Sequence, residues 1–133
     1  MKFAIVLSVI ASALVFSVAG IAAPAPATTM RADVAEWSIV PSSGSVRSGV
    51  VRLVVRNLGA SPHQVTVVRT PTFGARLRLD GARAVVHPIA ASMIVRPGKT
   101  ATLVVSLTRG SYELIDNLPW SYWKGTSVAF SVR

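Results

Sequence analysis

Gly110-Ser111-Tyr112-Glu113-Leu114-Ile115-Asp116-Asn117-Leu118-Pro119-Trp120-Ser121-Tyr122-Trp123-Lys124-Gly125-Thr126 decides how this 133-residue chain is read. Ser111 to Ile115 has the short, β-rich make-up of a strand, and Asn117 and Pro119 interrupt it. Beyond Gly125, apolar residues return at period two. Thr126, Val128, Phe130 and Val132 face a core, while Ser127, Ala129 and Ser131 face outward. The C-terminal quarter is therefore strand, aromatic loop, strand.

The same alternation extends upstream. In Val50 to Arg56, Val51, Leu53 and Val55 point inward; in Thr100 to Leu107, Ala101, Leu103, Val105 and Leu107 do so. Ala35 to Val40, Gln64 to Arg69 and Ser92 to Val95 are shorter strand candidates. Turn signals separate them: Pro41-Ser42-Ser43-Gly44, Asn57-Leu58-Gly59 and Arg96-Pro97-Gly98-Lys99. In the last, Pro presets φ and Gly accepts the positive φ that follows it. About seven short strands with frequent turns predict an all-β protein, an antiparallel β-sandwich. Thr70 to Arg83 is irregular and reads as a long connection across the sandwich.

The N-terminus follows different rules. Met1-Lys2 opens with a positive charge, Phe3 to Ile21 is almost unbroken apolar sequence, and Ala25-Pro26-Ala27 has the small-x-small pattern of a signal cleavage site. Residues 1–27 are read as a secretory signal peptide, 28–34 as a linker and 35–133 as the domain. If the segment were not cleaved, its length would suit a membrane anchor, and membrane contact would run only through it. The expected location is periplasmic or secreted. Cysteine is absent, which excludes disulfides, thiolate metal sites and a lipid-carrying cysteine.

Charge bears on partners. Without Lys2, 13 Lys and Arg face 5 Asp and Glu, leaving the exported chain at +8. Such a surface attracts acidic proteins or envelope polyanions. Export makes nucleic acid the least natural partner, and the arginines are scattered rather than clustered.

The C-terminal loop resembles that of the cupredoxins, the small blue-copper electron carriers. There it runs roughly G-x-Y-x-L-x-C-x-x-P-x-H-x-x-x-G-M, and the Cys, His and Met bind the metal. Gly110, Tyr112, Leu114, Pro119 and Gly125 keep their places, but the three ligand positions hold Asp116, Ser121 and Thr126. A second signature, Asn57-Leu58-Gly59-Ala60-Ser61-Pro62-His63, matches the turn that carries the first ligand histidine. The resemblance implies a Greek-key sandwich of cupredoxin type with one copper ligand of four, His63.

A blue-copper centre needs two imidazoles and a soft thiolate, with a weak axial thioether. A carboxylate, a hydroxyl and a threonine are a poor substitute. His63 and Asp116 could offer Zn²⁺ or Cu²⁺ a hard two-ligand site, completed by water and weak. The plainer reading is that Asp116 bonds to His63 and closes the old cavity as a polar plug. No cofactor is expected on that reading; copper or zinc belongs to the other. His63, Asp116 and Ser121 are also the residue types of a hydrolytic triad, but a triad is defined by geometry, and no enzyme is expected. His87 and Met93 lie outside the family's ligand positions and read as loop or packing residues.

Trp120, Tyr122 and Trp123 place three large aromatics within four residues of the loop that, in cupredoxins, surrounds the metal and docks redox partners. Tryptophan and tyrosine are enriched at binding hot spots. Lys124 beside them would favour an acidic partner. The expected function is a non-enzymatic docking module of the cell envelope that binds an envelope protein. The rival expectation is a copper- or zinc-binding protein with an altered site at His63 and Asp116.

Overall fold

A computed structural model describes residues 27–133. Eleven strands follow one another: β1 (Thr28–Ala35), β2 (Ser38–Pro41), β3 (Ser45–Val46), β4 (Gly49–Asn57), β5 (Val65–Thr70), β6 (Leu79–Asp80), β7 (Arg83–Ala84), β8 (Pro88–Ala91), β9 (Thr100–Leu107), β10 (Gly110–Asp116) and β11 (Ser127–Val132). One sheet has the order β2-β1-β4-β9 and the other β3-β11-β10-β5-β8, with β6 and β7 forming a separate hairpin. The chain crosses between the sheets repeatedly, so the two are faces of one sandwich. Among the described residues no helix is long and apolar enough to cross a membrane.

Period-two alternation builds the core. Val51, Leu53 and Val55 of β4 bury beside Met30, Ala32 and Val34 of β1, and they meet Val65, Val67, Tyr112, Leu114, Phe130 and Val132 of the facing sheet. Stripping water from one apolar face of each sheet is what drives the faces together. Tyr112 and Phe130 stack with centroids 5.5 Å apart, and the Tyr112 hydroxyl donates to the Thr108 carbonyl at 2.8 Å.

The all-β sandwich agrees with the sequence reading, but several details need correction. Residues 28–34 are not a linker. Met30, Ala32 and Val34 alternate into the core, and β1 pairs along β4 from Thr28 to Val34, so the domain begins before residue 35. The pairing of β1 with β4 is parallel, as is that of β11 with β3, so the sandwich is not wholly antiparallel. Ala35 to Val40 is a hairpin turning at Glu36-Trp37 rather than one strand. The strand placed at Ser92 to Val95 lies earlier, at Pro88–Ala91, and Val95 keeps only an isolated bridge to His63. The strand count exceeds seven chiefly through two-residue pieces, which are too short to show a period. Of the expected signal peptide, all but Ala27 lies outside the described residues.

The irregular connection has a definite role. Its hairpin and the adjoining loop lie against the outer face of the second sheet, where Val68 and Ile115 pack with Leu77, Ala84, Val86 and Tyr122 in a small second core. This cover explains why β5 and β10 are buried on both faces.

Candidate functional site

Asn57 organises the loop that presents His63. Its buried side chain donates from Nδ2 to the carbonyls of Ser61 and Val95, each at 2.8 Å, and its Oδ1 accepts from the Gly59 N–H at 2.8 Å. A buried amide that meets three backbone groups fixes the turn, because each would otherwise be left unsatisfied. His63 follows and is anchored by two backbone bonds to Val95. Only 2 % of its surface is exposed.

The imidazole lies between two carboxylates. Asp116, fully buried at the end of β10, places Oδ2 2.6 Å from His63 Nδ1. Its Oδ1 accepts from Leu118 N–H at 2.9 Å and, more weakly, from Gln64 N–H at 3.4 Å. At the other ring nitrogen, Nε2, Glu36 Oε1 stands 3.6 Å away, too far for a hydrogen bond, and Nε2 has no bonding partner among the described residues. Glu36 Oε1 bonds instead to the amides of Ala60 and Ser61 at 2.8 and 2.6 Å. Bonds from its own backbone amide and from that of Ser61 hold the Glu36 carboxyl down at about 2.

Sequence reasoning missed Glu36. The one trace it leaves is Gly59, where an added Cβ would come within 2.5 Å of Glu36 Oε2. A side chain there would oblige the Glu36 carboxylate to shift.

Of the former ligand positions, His63 and Asp116 are brought together, whereas Ser121 and Thr126 are not joined to them through their side chains. Thr126 is buried with an unbonded hydroxyl and pairs through its backbone with Asp116 and Ser121. A hydrolytic triad is not formed, since Nε2 has no partner that could be a serine hydroxyl.

These residues do not fit a type 1 copper ion. No thiolate is available, Nδ1 is engaged by Asp116, and the second carboxylate faces the opposite nitrogen, so the donors do not converge on one point. Among the described residues, no group of three or more His, Asp or Glu side chains is arranged to hold a metal ion.

The loop after β10 is clasped to β7 by Asn117. Its Oδ1 accepts from Ala84 N–H at 2.8 Å and its Nδ2 donates to the Ala84 carbonyl at 3.0 Å. Arg83 adds a bond to the Asn117 carbonyl, and Trp120 N–H donates to Ala82. Of the aromatic trio, Tyr122 is half-buried, accepts from Leu77 N–H at 3.0 Å and joins the second core. Trp120 and Trp123 are exposed, by 53 % and 62 %, and meet edge to face at 6.3 Å.

Trp37 is a further exposed tryptophan that sequence reasoning passed over. Lys124 Nζ lies 4.2 Å from its ring centroid, so the turn between β1 and β2 is tied to the aromatic loop. Trp37 and Trp120 are the two non-glycine residues with positive φ among those described, at 64° and 68°. Bulky side chains are strained there.

No protein-family model matches the chain, and no curated protein does. Solved structures do. Reduced auracyanin from the photosynthetic bacterium Roseiflexus castenholzii is 19 % identical over 80 % of this chain and 98 % of its own, with a TM-score of 0.61. Auracyanin A, a "blue" copper protein from Chloroflexus aurantiacus, is 16 % identical over 81 % of this chain and all of its own, with a TM-score of 0.59. Rusticyanin from Thiobacillus ferrooxidans is 12 % identical over 81 % and 79 % of the two chains, at 0.61. At such identities the likeness is one of architecture: this chain has the cupredoxin fold.

Proposed function

We propose that this protein is an exported docking module of the cell envelope, built on a cupredoxin scaffold whose copper site has become a polar plug. One observation carries the reading. Two exposed tryptophans, Trp37 and Trp120, occupy left-handed backbone positions where glycine would be less strained. Strain of about 1–3 kcal/mol at each is tolerated where a side chain is needed in that place. With Trp123 and Lys124 they make an aromatic surface with a cationic rim, suited to an envelope protein with acidic groups around an apolar contact. Periplasmic or secreted location belongs to this proposal and rests on the leader-like N-terminus.

The test is titration of a partner purified from envelope extracts against the wild type and a Trp120→Ala/Trp123→Ala variant. At least about tenfold weaker binding by the variant is expected; equal affinity sinks the docking reading. The rival reading, a copper or zinc protein using His63 and Asp116, requires their 2.6 Å contact to open. Calorimetry with Cu²⁺ and Zn²⁺ decides it: binding tighter than about 1 μM that is lost in His63→Ala would replace the docking reading.

A further inference from the structure

Between the covering loop and the second sheet lies an open cleft of about 410 Å³, apart from the His63 plug and bordering the exposed aromatic face through Trp123. That volume falls in the range of small-molecule sites. Leu77, Leu79, Tyr122 and Trp123 give it apolar and aromatic walls, and two charged residues line it, Arg76 and Glu113. Glu113 is 6 % exposed, and its Oε2 has no hydrogen-bond partner among the described residues. A buried carboxyl oxygen without a donor is costly, and native structures seldom leave one so. Arg76 is exposed and makes no ion pair with Glu113, although both line the same cleft.

One anionic and one cationic side chain, unpaired with each other in a cleft that also has aromatic and aliphatic walls, match a ligand that carries the opposite charges in the same molecule. We infer that this cleft binds a small zwitterion, an α-amino acid with an apolar side chain, with its ammonium on Glu113, its carboxylate on Arg76 and its side chain against Leu77, Leu79 and the Trp123 indole. An ammonium ion in the cleft sets a positive charge beside the buried Glu113 carboxylate, and the guanidinium takes a carboxylate in a bidentate manner. The arrangement also makes binding depend on pH. Burial raises the Glu113 carboxyl above its ordinary value, only partly offset by the Ser127 hydroxyl, and an incoming ammonium favours the ionised form, so binding weakens in acid.

The test is calorimetric titration of the purified full-length protein with L-phenylalanine and L-leucine, beside N-acetyl-L-phenylalanine and L-phenylalanine amide. Saturable binding with Kd near or below about 1 mM is expected, weakened about tenfold or more by either blocking group. Glu113→Gln should lose the discrimination against the N-acetyl compound and the weakening of binding in acid. Arg76→Ala, at an exposed position and harmless to folding, should lose the discrimination against the amide. Absence of saturable heat from both amino acids overturns the inference. So does a folded Arg76→Ala protein, or a folded Glu113→Gln protein, that binds L-phenylalanine with unchanged affinity and preference.

Discussion

Asp116 Oδ2 lies 2.6 Å from His63 Nδ1, and both residues are almost wholly out of water. One ring nitrogen is thus satisfied from within the protein, and the carboxylate that meets it is structural. Asp116 also accepts from Leu118 and Gln64 amides, so it fastens the start of the aromatic loop to the histidine loop.

Asp116→Ala should therefore cost about 3 kcal/mol of unfolding free energy, since it leaves a buried imidazole and two amides without their acceptor. Denaturant titration measures it. A loss below about 1 kcal/mol would mean that the contact is incidental to stability.

Glu36 and Gly59 form a second coupled pair. Gly59→Ala drives a methyl group against the carboxylate, which must swing away and give up its bonds to the Ala60 and Ser61 amides, so it should destabilise the wild type modestly and have less effect beside Glu36→Ala. A double-mutant cycle with no coupling would remove Glu36 from the account of this loop. Because the Glu36 carboxyl is held down at about 2, its contribution is present above the unfolded value of 4.5 and is lost as pH falls through about 2. Glu36→Gln should flatten that part of the acid-unfolding curve.

Glu113 has the opposite sign. Its carboxyl is raised by burial, so it burdens the folded state least below the ordinary carboxylate value and most once the pH has risen through the raised one. Without ligand, Glu113→Gln should match the wild type in acid and be the more stable protein at neutral pH. Melting curves at two pH values read this directly, and a variant less stable at neutral pH would show that the bond from Ser127 outweighs the cost of burying the carboxylate.

Trp120→Gly separates structure from recognition. Glycine relieves the left-handed backbone strain at φ 68°, and the indole is half exposed, so stability should stay within about 1 kcal/mol of the wild type while partner affinity falls about tenfold. A loss of about 3 kcal/mol or more in stability would instead make the indole a packing residue.

The parts of this architecture that were legible in the sequence are those in which one strand carries its own signal. Val51, Leu53 and Val55 announce their face by period alone, and the Asn57 and Asn117 turns by their residue types. β1 escaped because its short Met30, Ala32 and Val34 alternation runs straight on from Pro- and Ala-rich sequence. Glu36 escaped for a different reason. Its partners, Ala60 and Ser61, are 24 and 25 residues away, and nothing local to the hairpin reveals them. Glu113 alternates as a solvent-facing residue would, and only the covering loop, which has no period of its own, makes it buried.

The resemblance of Asp116, Ser121 and Thr126 to lost ligand positions can itself be tested by restoring the ligands. The framework around them is intact: Asn57 holds the His63 loop, Asn117 clasps the following loop to β7, and Asp116 and Thr126 remain backbone partners. Asp116→Cys frees Nδ1 of the carboxylate and supplies the soft donor, Ser121→His adds the second imidazole, and Thr126→Met adds the axial thioether. The triple variant should bind Cu²⁺ tighter than about 1 μM and develop the intense visible absorption of a copper–thiolate bond, while the wild type stays colourless with the same metal. A folded triple variant that takes up copper without that band would mean that the three positions no longer converge. The loop would then have drifted in shape as well as in chemistry, and the polar plug would be a rebuilt structure instead of a ligand set exchanged in place.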